Sequence, residues 1–102
     1  MRLIVFFDLP TETAAQRKNY RVFRKYLLKE GYLMLQESVY AKLVVDDAHA
    51  KAALARLKEN RPPSGLVQSL KVTEKQFASM DFISGERQQH DEVDSLEGFV
   101  IL

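Results

Sequence analysis

A chain of 102 residues accommodates one domain rather than two, and none of its apolar runs approaches the ~20 residues of a membrane span. It contains no cysteine, which excludes a disulfide framework and a thiolate zinc site, while its 46% hydrophobic content is enough for a core. The net charge of +1 hides a polarity: residues 1 to 34 carry seven Lys or Arg against Asp8, Glu12 and Glu30, whereas residues 81 to 102 carry Arg87 against Asp81, Glu86, Asp91, Glu92, Asp94 and Glu97.

Leu3-Ile4-Val5-Phe6-Phe7 reads as a first strand buried on both faces. Asp8 stands at its end, and Pro10 stops it. Thr13-Ala14-Ala15-Gln16 matches a capping box that opens a helix. Tyr20, Phe23 and Leu27 then recur at spacings of three and four, the buried stripe of that helix, and Gly31 ends it. Tyr32 to Gln36 and Ser38 to Val45 read as two further strands, joined by a hairpin turn at Gln36-Glu37-Ser38. Asp46 or Asp47 caps a second helix with Ala50, Ala53, Leu54 and Leu57 on its apolar face, and Pro62-Pro63 prevents its continuation. Leu66 to Thr73 is the fourth strand, and Met80 to Ile83 reads as a short additional one.

Residues 84 to 95 are acidic, lack periodicity and read as mobile. The chain then closes on Phe99-Val100-Ile101-Leu102, an apolar run expected to dock, either as a last strand of its own sheet or as an edge strand on another chain. The expected organisation is a domain over residues 1–85 followed by an acidic linker and docking strand over 86–102. The start of the chain does not have the pattern of a signal peptide, so a cytoplasmic location is expected.

The order β-α-β-β-α-β, with right-handed crossovers, places both helices on one face of an antiparallel sheet. This is the ferredoxin-like α+β architecture. Its opposite sheet face lacks a helical cover and is a natural surface for a homodimer.

Two sites carry chemistry. Asp8 at a strand tip reads either as an Asx turn ahead of Pro10 or as a ligand for Mg²⁺, with Mn²⁺ as an alternative. One carboxylate is too few for a cation that prefers six oxygens, so the metal reading requires a second Asp8 brought in by a two-fold axis. The metal could then activate a water for phosphodiester attack, although no general base neighbours Asp8 in sequence. The first helix carries Arg17, Lys18, Arg21, Arg24, Lys25 and Lys29, and from Thr13 onward only Glu30 opposes them. Such an excess points to a nucleic-acid backbone bound through counterion release, without base readout. Lys42, Lys71 and Lys75 are lesser candidates for phosphate contact. His49 and His90 have no metal-ligand partner nearby in sequence and are assigned no chemistry.

Four segments in series carry a resemblance: Phe7-Asp8-Leu9-Pro10, the basic helix from Arg17 to Leu28, the hairpin Gln36 to Tyr40, and Val72 to Phe77. Over residues 1 to about 85 they resemble the CRISPR-associated Cas-two family, in its type II form. The resemblance implies a ferredoxin-like homodimer that bridges subunits of the CRISPR integrase (Cas-one) and carries double-stranded DNA during spacer acquisition. It also implies, for some members, metal-dependent cleavage of RNA or DNA. It maps the acid of the first strand onto Asp8 as catalytic and metal-binding, and the basic residues of the first helix onto Arg17 and Lys18. The expectation is thus a DNA-bridging protein, with a nuclease centred on paired Asp8 as the alternative and a plain ferredoxin-like dimer behind both.

Overall fold

A computed structural model describes residues 1–85. β1 (Arg2–Asp8), β2 (Leu33–Gln36), β3 (Val39–Leu43) and β4 (Leu66–Val72) form one antiparallel sheet in the order β2-β3-β1-β4. α1 (Ala14–Lys29) and α2 (Asp47–Glu59) pack on the same side of that sheet, and a short α3 (Glu74–Ala78) follows β4. This is the ferredoxin-like α+β fold.

The local chemistry explains the boundaries. Thr13 and Gln16 form the capping box of α1: the Thr13 hydroxyl accepts from the Gln16 N–H, and the Gln16 side chain accepts from the Thr13 N–H. Gly31, at φ +93°, turns the chain out of the helix. Asp46 caps α2 by accepting from the His49 N–H, and the His49 imidazole accepts in turn from the Val45 N–H at 3.1 Å. The His49 ring thus braces a turn. The β2–β3 connection runs through Glu37 and Ser38, with Ser38 at φ 67° and the strand register shifting between Met34 and Gln36.

Period-two alternation along β1 divides its residues between two environments. Leu3, Val5 and Phe7 enter the core with Phe23 and Leu27 of α1, Ala50, Ala53 and Leu57 of α2, and Tyr32, Tyr40 and Val44. Phe7 is the aromatic centre, edge-on to Phe23 at 5.2 Å and stacked on Tyr40 at 5.7 Å. Ile4, Phe6 and Asp8 face the other way. The sequence reading of β1 as buried on both faces holds at Ile4, which is 6% exposed, and is corrected at Phe6, which is 37% exposed. α1 and α2 lie on the core side, and on this other side α3 reaches only the Arg2 end of β1, through Glu74 and Phe77. Strand register puts Leu33, Leu43, Leu66 and Leu70 on the same open face, and all four are exposed.

One further expectation differs from the structure. Residues 80–83 form no strand among the described residues, and the chain after β4 instead enters α3. The reason is local: Thr73 and Gln76 make a second reciprocal capping box, which commits the backbone to a helical turn. The proposed acidic linker and the docking strand Phe99–Leu102 lie outside the described residues.

Candidate functional site

α1 supplies the first candidate surface. With Phe23 and Leu27 buried on its inner side, the 3.6-residue period turns Arg17, Lys18, Arg21, Arg24, Lys25 and Lys29 outward, and all six are exposed. Among the described residues none of them joins an ion pair. Glu30, the acid that follows the stripe in sequence, is engaged elsewhere. It accepts from the Arg56 Nε of α2 at 2.7 Å, and this hydrogen bond holds its carboxyl below the usual range. Arg56 therefore quenches the acid that could have neutralised the stripe. Arg17 differs from its neighbours, because its Nη1 donates to the backbone carbonyls of Thr11 and Glu12. It fastens the loop that enters α1, while Lys18, Arg21, Arg24 and Lys25 have no such tie among the described residues.

Two of the three lesser cations are less available. Lys71 pairs with Asp47 at the start of α2 and lowers that carboxyl's pKa through a hydrogen bond and its charge. Lys42 lies over the Tyr32 ring, 5.5 Å from its centroid. Lys75 is exposed on α3.

Asp8 ends β1 opposite Leu66 of β4, on the open sheet face. It borders a shallow depression of 180 Å³ shared with Phe6, Phe7, Ser38, Val39, Leu66 and Gln68. The strand end is held tightly from behind. Gly65 adopts φ +93°, and a Cβ there would lie 2.7 Å from the Asp8 carbonyl oxygen and 3.0 Å from the Leu9 Cα. One chain thus offers one carboxylate, one hydroxyl and one amide around an apolar floor. No cluster of three or more metal-ligating side chains exists among the described residues. That set is short of what Mg²⁺ requires, and it fits a divalent cation only when a second copy adds its own Asp8.

The sequence reading did not single out Ser38, Gln68 or Gly65, the neighbours of Asp8. Strand register brings the first two there, and no local signal announces that. Gly65 follows Pro62-Pro63-Ser64, a turn signal, but its closeness to Asp8 is a tertiary fact. Arg2 was also passed over. Its guanidinium bonds Glu74 at 2.9 Å and covers the Phe77 ring at 4.5 Å, so it ties α3 to the start of β1. Burial pushes the Glu74 carboxyl up, but the hydrogen bond and charge of Arg2 and the N-terminal ammonium outweigh this and hold it low.

No helix among the described residues is long and apolar enough to cross a membrane. The fold resembles a crystal structure of Streptococcus pyogenes Cas2 at pH 6.5, with a TM-score of 0.62 at 22% identity over 82% of this chain and 100% of that one. Sequence similarity reaches further. A protein of Streptococcus mutans serotype c named CRISPR-associated endoribonuclease Cas2 is 55% identical over 87 residues, covering 85% of this chain and 80% of the relative. One of the same name from Treponema denticola is 54% identical over 86 residues, covering 84% and 85%. The family model for CRISPR associated protein Cas2 matches residues 1–80. Matched by the family model over residues 1–80 and by relatives at 54–55% identity over most of its length, this chain belongs to the CRISPR-associated Cas2 family.

Proposed function

We propose that the chain acts in CRISPR adaptation as a homodimer that binds the phosphate backbone of duplex protospacer DNA and bridges integrase subunits. The observation that carries this reading is the set of six exposed α1 cations without an acidic partner among the described residues. Isolated surface cations are unremarkable, but six on one helix face with the neighbouring acid diverted to α2 suit a polyanion.

The open sheet face supports the dimer. Phe6, Leu33, Leu43, Leu66 and Leu70 stand exposed on it. These side chains are already about half buried, so covering each with a second copy stabilises the assembly by roughly half of the ~1.5–3 kcal/mol of a full burial, before association costs. That arrangement leaves α1 of each subunit on an outer flank, where a duplex has access. The cytoplasm is the compartment this reading requires.

Duplex affinity measured against salt tests the proposal. Lys18→Ala, Arg21→Ala and Lys25→Ala together remove three phosphate contacts and lower the salt slope by about 2.7, at ~0.9 per contact. Arg17 is kept, because its bonds to Thr11 and Glu12 support the fold. An unchanged slope in a folded variant refutes the assignment.

A second reading, a metal-dependent endonuclease, is favoured by the place of Asp8 in the open-face depression and by the names of the relatives. Paired Asp8 carboxylates, one from each subunit, would hold Mg²⁺ or Mn²⁺, and the ion would supply an activated water. Asp8→Asn then abolishes metal-dependent cleavage of RNA or DNA while duplex binding survives. Cleavage that persists in Asp8→Asn eliminates this reading.

A further inference from the structure

From the charge distribution we infer that the chain's own acidic segment, Glu86 to Glu97, docks on the exposed face of α1 and competes there with nucleic acid. The inference rests on the backbone-binding reading for its regulatory meaning, though the contact itself is a separate claim.

Three observations support it. The first is complementarity. The segment carries Glu86, Asp91, Glu92, Asp94 and Glu97 against Arg87 alone, and the α1 face carries six cations. Those cations are unpaired by acids among the described residues, and Glu30 is withheld by Arg56. The second is reach. Twelve residues at ~3.3 Å each span about 40 Å when extended, and the longest dimension of the molecule is 40 Å. Chain length therefore lets the distal acids of the segment, counted from Gly85, reach α1. The third is competition among the alternatives. Of the other described cations, Arg2, Arg56 and Lys71 are taken by Glu74, Glu30 and Asp47, and the unpaired Lys51, Lys58, Arg61 and Lys75 are fewer than the six that α1 gathers on one face. An acidic strand of the same chain is present at the high effective concentration of a short tether, so weak ion pairs suffice to hold it. A polyanion of higher charge density, such as duplex DNA, displaces it.

The test uses the full-length chain, isotopically labelled, beside a full-length variant with Glu86→Gln, Asp91→Asn, Glu92→Gln, Asp94→Asn and Glu97→Gln. Amide shifts of β1 and β4 report that both are folded. Outside the substituted segment, the expected result is a set of shift differences confined to α1 residues 17 to 29, which disappear as salt is raised because the wild-type positions move onto those of the variant. The variant then binds a short duplex about tenfold more tightly at low salt, as expected if about nine in ten wild-type molecules hold the docked form. Identical α1 shifts at every salt concentration overturn the contact. So do differences spread evenly over the molecule, which would reflect net charge alone. If α1 shifts move as expected and neither chain has salt-dependent duplex affinity, the contact stands and the DNA reading fails.

Discussion

Gly65→Ala gives the most discriminating test of how the Asp8 strand end is built, because Gly31 provides an internal control. Both glycines sit at φ +93°. Placing an L-residue in that region costs about 1–2 kcal/mol at either position. The surroundings differ. A Cβ at Gly31 meets nothing within 4 Å, whereas one at Gly65 lies 2.7 Å from the Asp8 carbonyl oxygen, 2.7 Å from Leu9 Cδ2 and 3.0 Å from Leu9 Cα. Two of those three atoms are backbone, so relief requires β1 and the β4 entry to separate. Overpacking of this kind adds about 1–3 kcal/mol. Gly31→Ala should therefore cost about 1–2 kcal/mol and Gly65→Ala about 2–5 kcal/mol.

Urea titration at a fixed protomer concentration measures both, since association shifts apparent stability. In thermal melts the excess at Gly65 appears as a further Tm loss of about 4–8 °C per kcal/mol. Gly65→Ala should also displace Asp8 and impair any metal-dependent cleavage, while Gly31→Ala spares it. Equal destabilisation by the two substitutions would refute the close approach of Gly65 to the strand end.

Further predictions concern the core, the helix staple and a buried hydroxyl. Phe23→Ala removes a 1% exposed ring set edge-on to Phe7 and should cost about 3–5 kcal/mol in denaturant unfolding, with Phe23→Leu costing less. The Glu30 carboxyl is held low in the folded state by its hydrogen bond to Arg56, so its contribution is present above the unfolded pKa of about 4.3 and is lost as pH falls through the folded value. Glu30→Gln should flatten the stability–pH curve in that acidic window, and a curve of unchanged shape contradicts the pairing. Tyr32 is buried, its hydroxyl has no partner among the described residues, and burial pushes its pKa up to about 12. Tyr32→Phe should therefore hold or raise stability, by up to ~1 kcal/mol, and a loss larger than that counts against an unpartnered hydroxyl.

Local signals made much of the fold legible. Thr13 and Gln16 announced α1, the Tyr20–Phe23–Leu27 spacing gave its inner side, and Asp46 with Pro62-Pro63 bounded α2. The same capping pattern at Thr73 and Gln76 was equally visible, yet the apolar composition of Met80 to Ile83 drew attention to a strand there instead. Phe6 shows a second kind of failure. Five apolar residues in a row cannot reveal which face lacks a cover, because that depends on where both helices fall. The surroundings of Asp8 were hidden for a similar reason: Ser38, Gln68 and Gly65 come from three different stretches of the chain and meet only through register. The diversion of Glu30 to Arg56, 26 residues away, was likewise beyond any pattern in the sequence.

That diversion has a geometric consequence. Tethered to α2 through Glu30 and Arg56, the cation-bearing helix is discouraged from rolling about its own axis, and its charges keep a set spacing. From Arg17 to Lys29 the rise of 1.5 Å per residue gives a gauge of about 18 Å, comparable to roughly five base-pair steps at 3.4 Å. On the backbone-binding reading proposed above, a stiff double helix would meet such a ruler with its phosphates already in rank, whereas a floppy single strand would first have to be straightened. Preference for rigid polyanions over pliable ones can thus arise with no base being read.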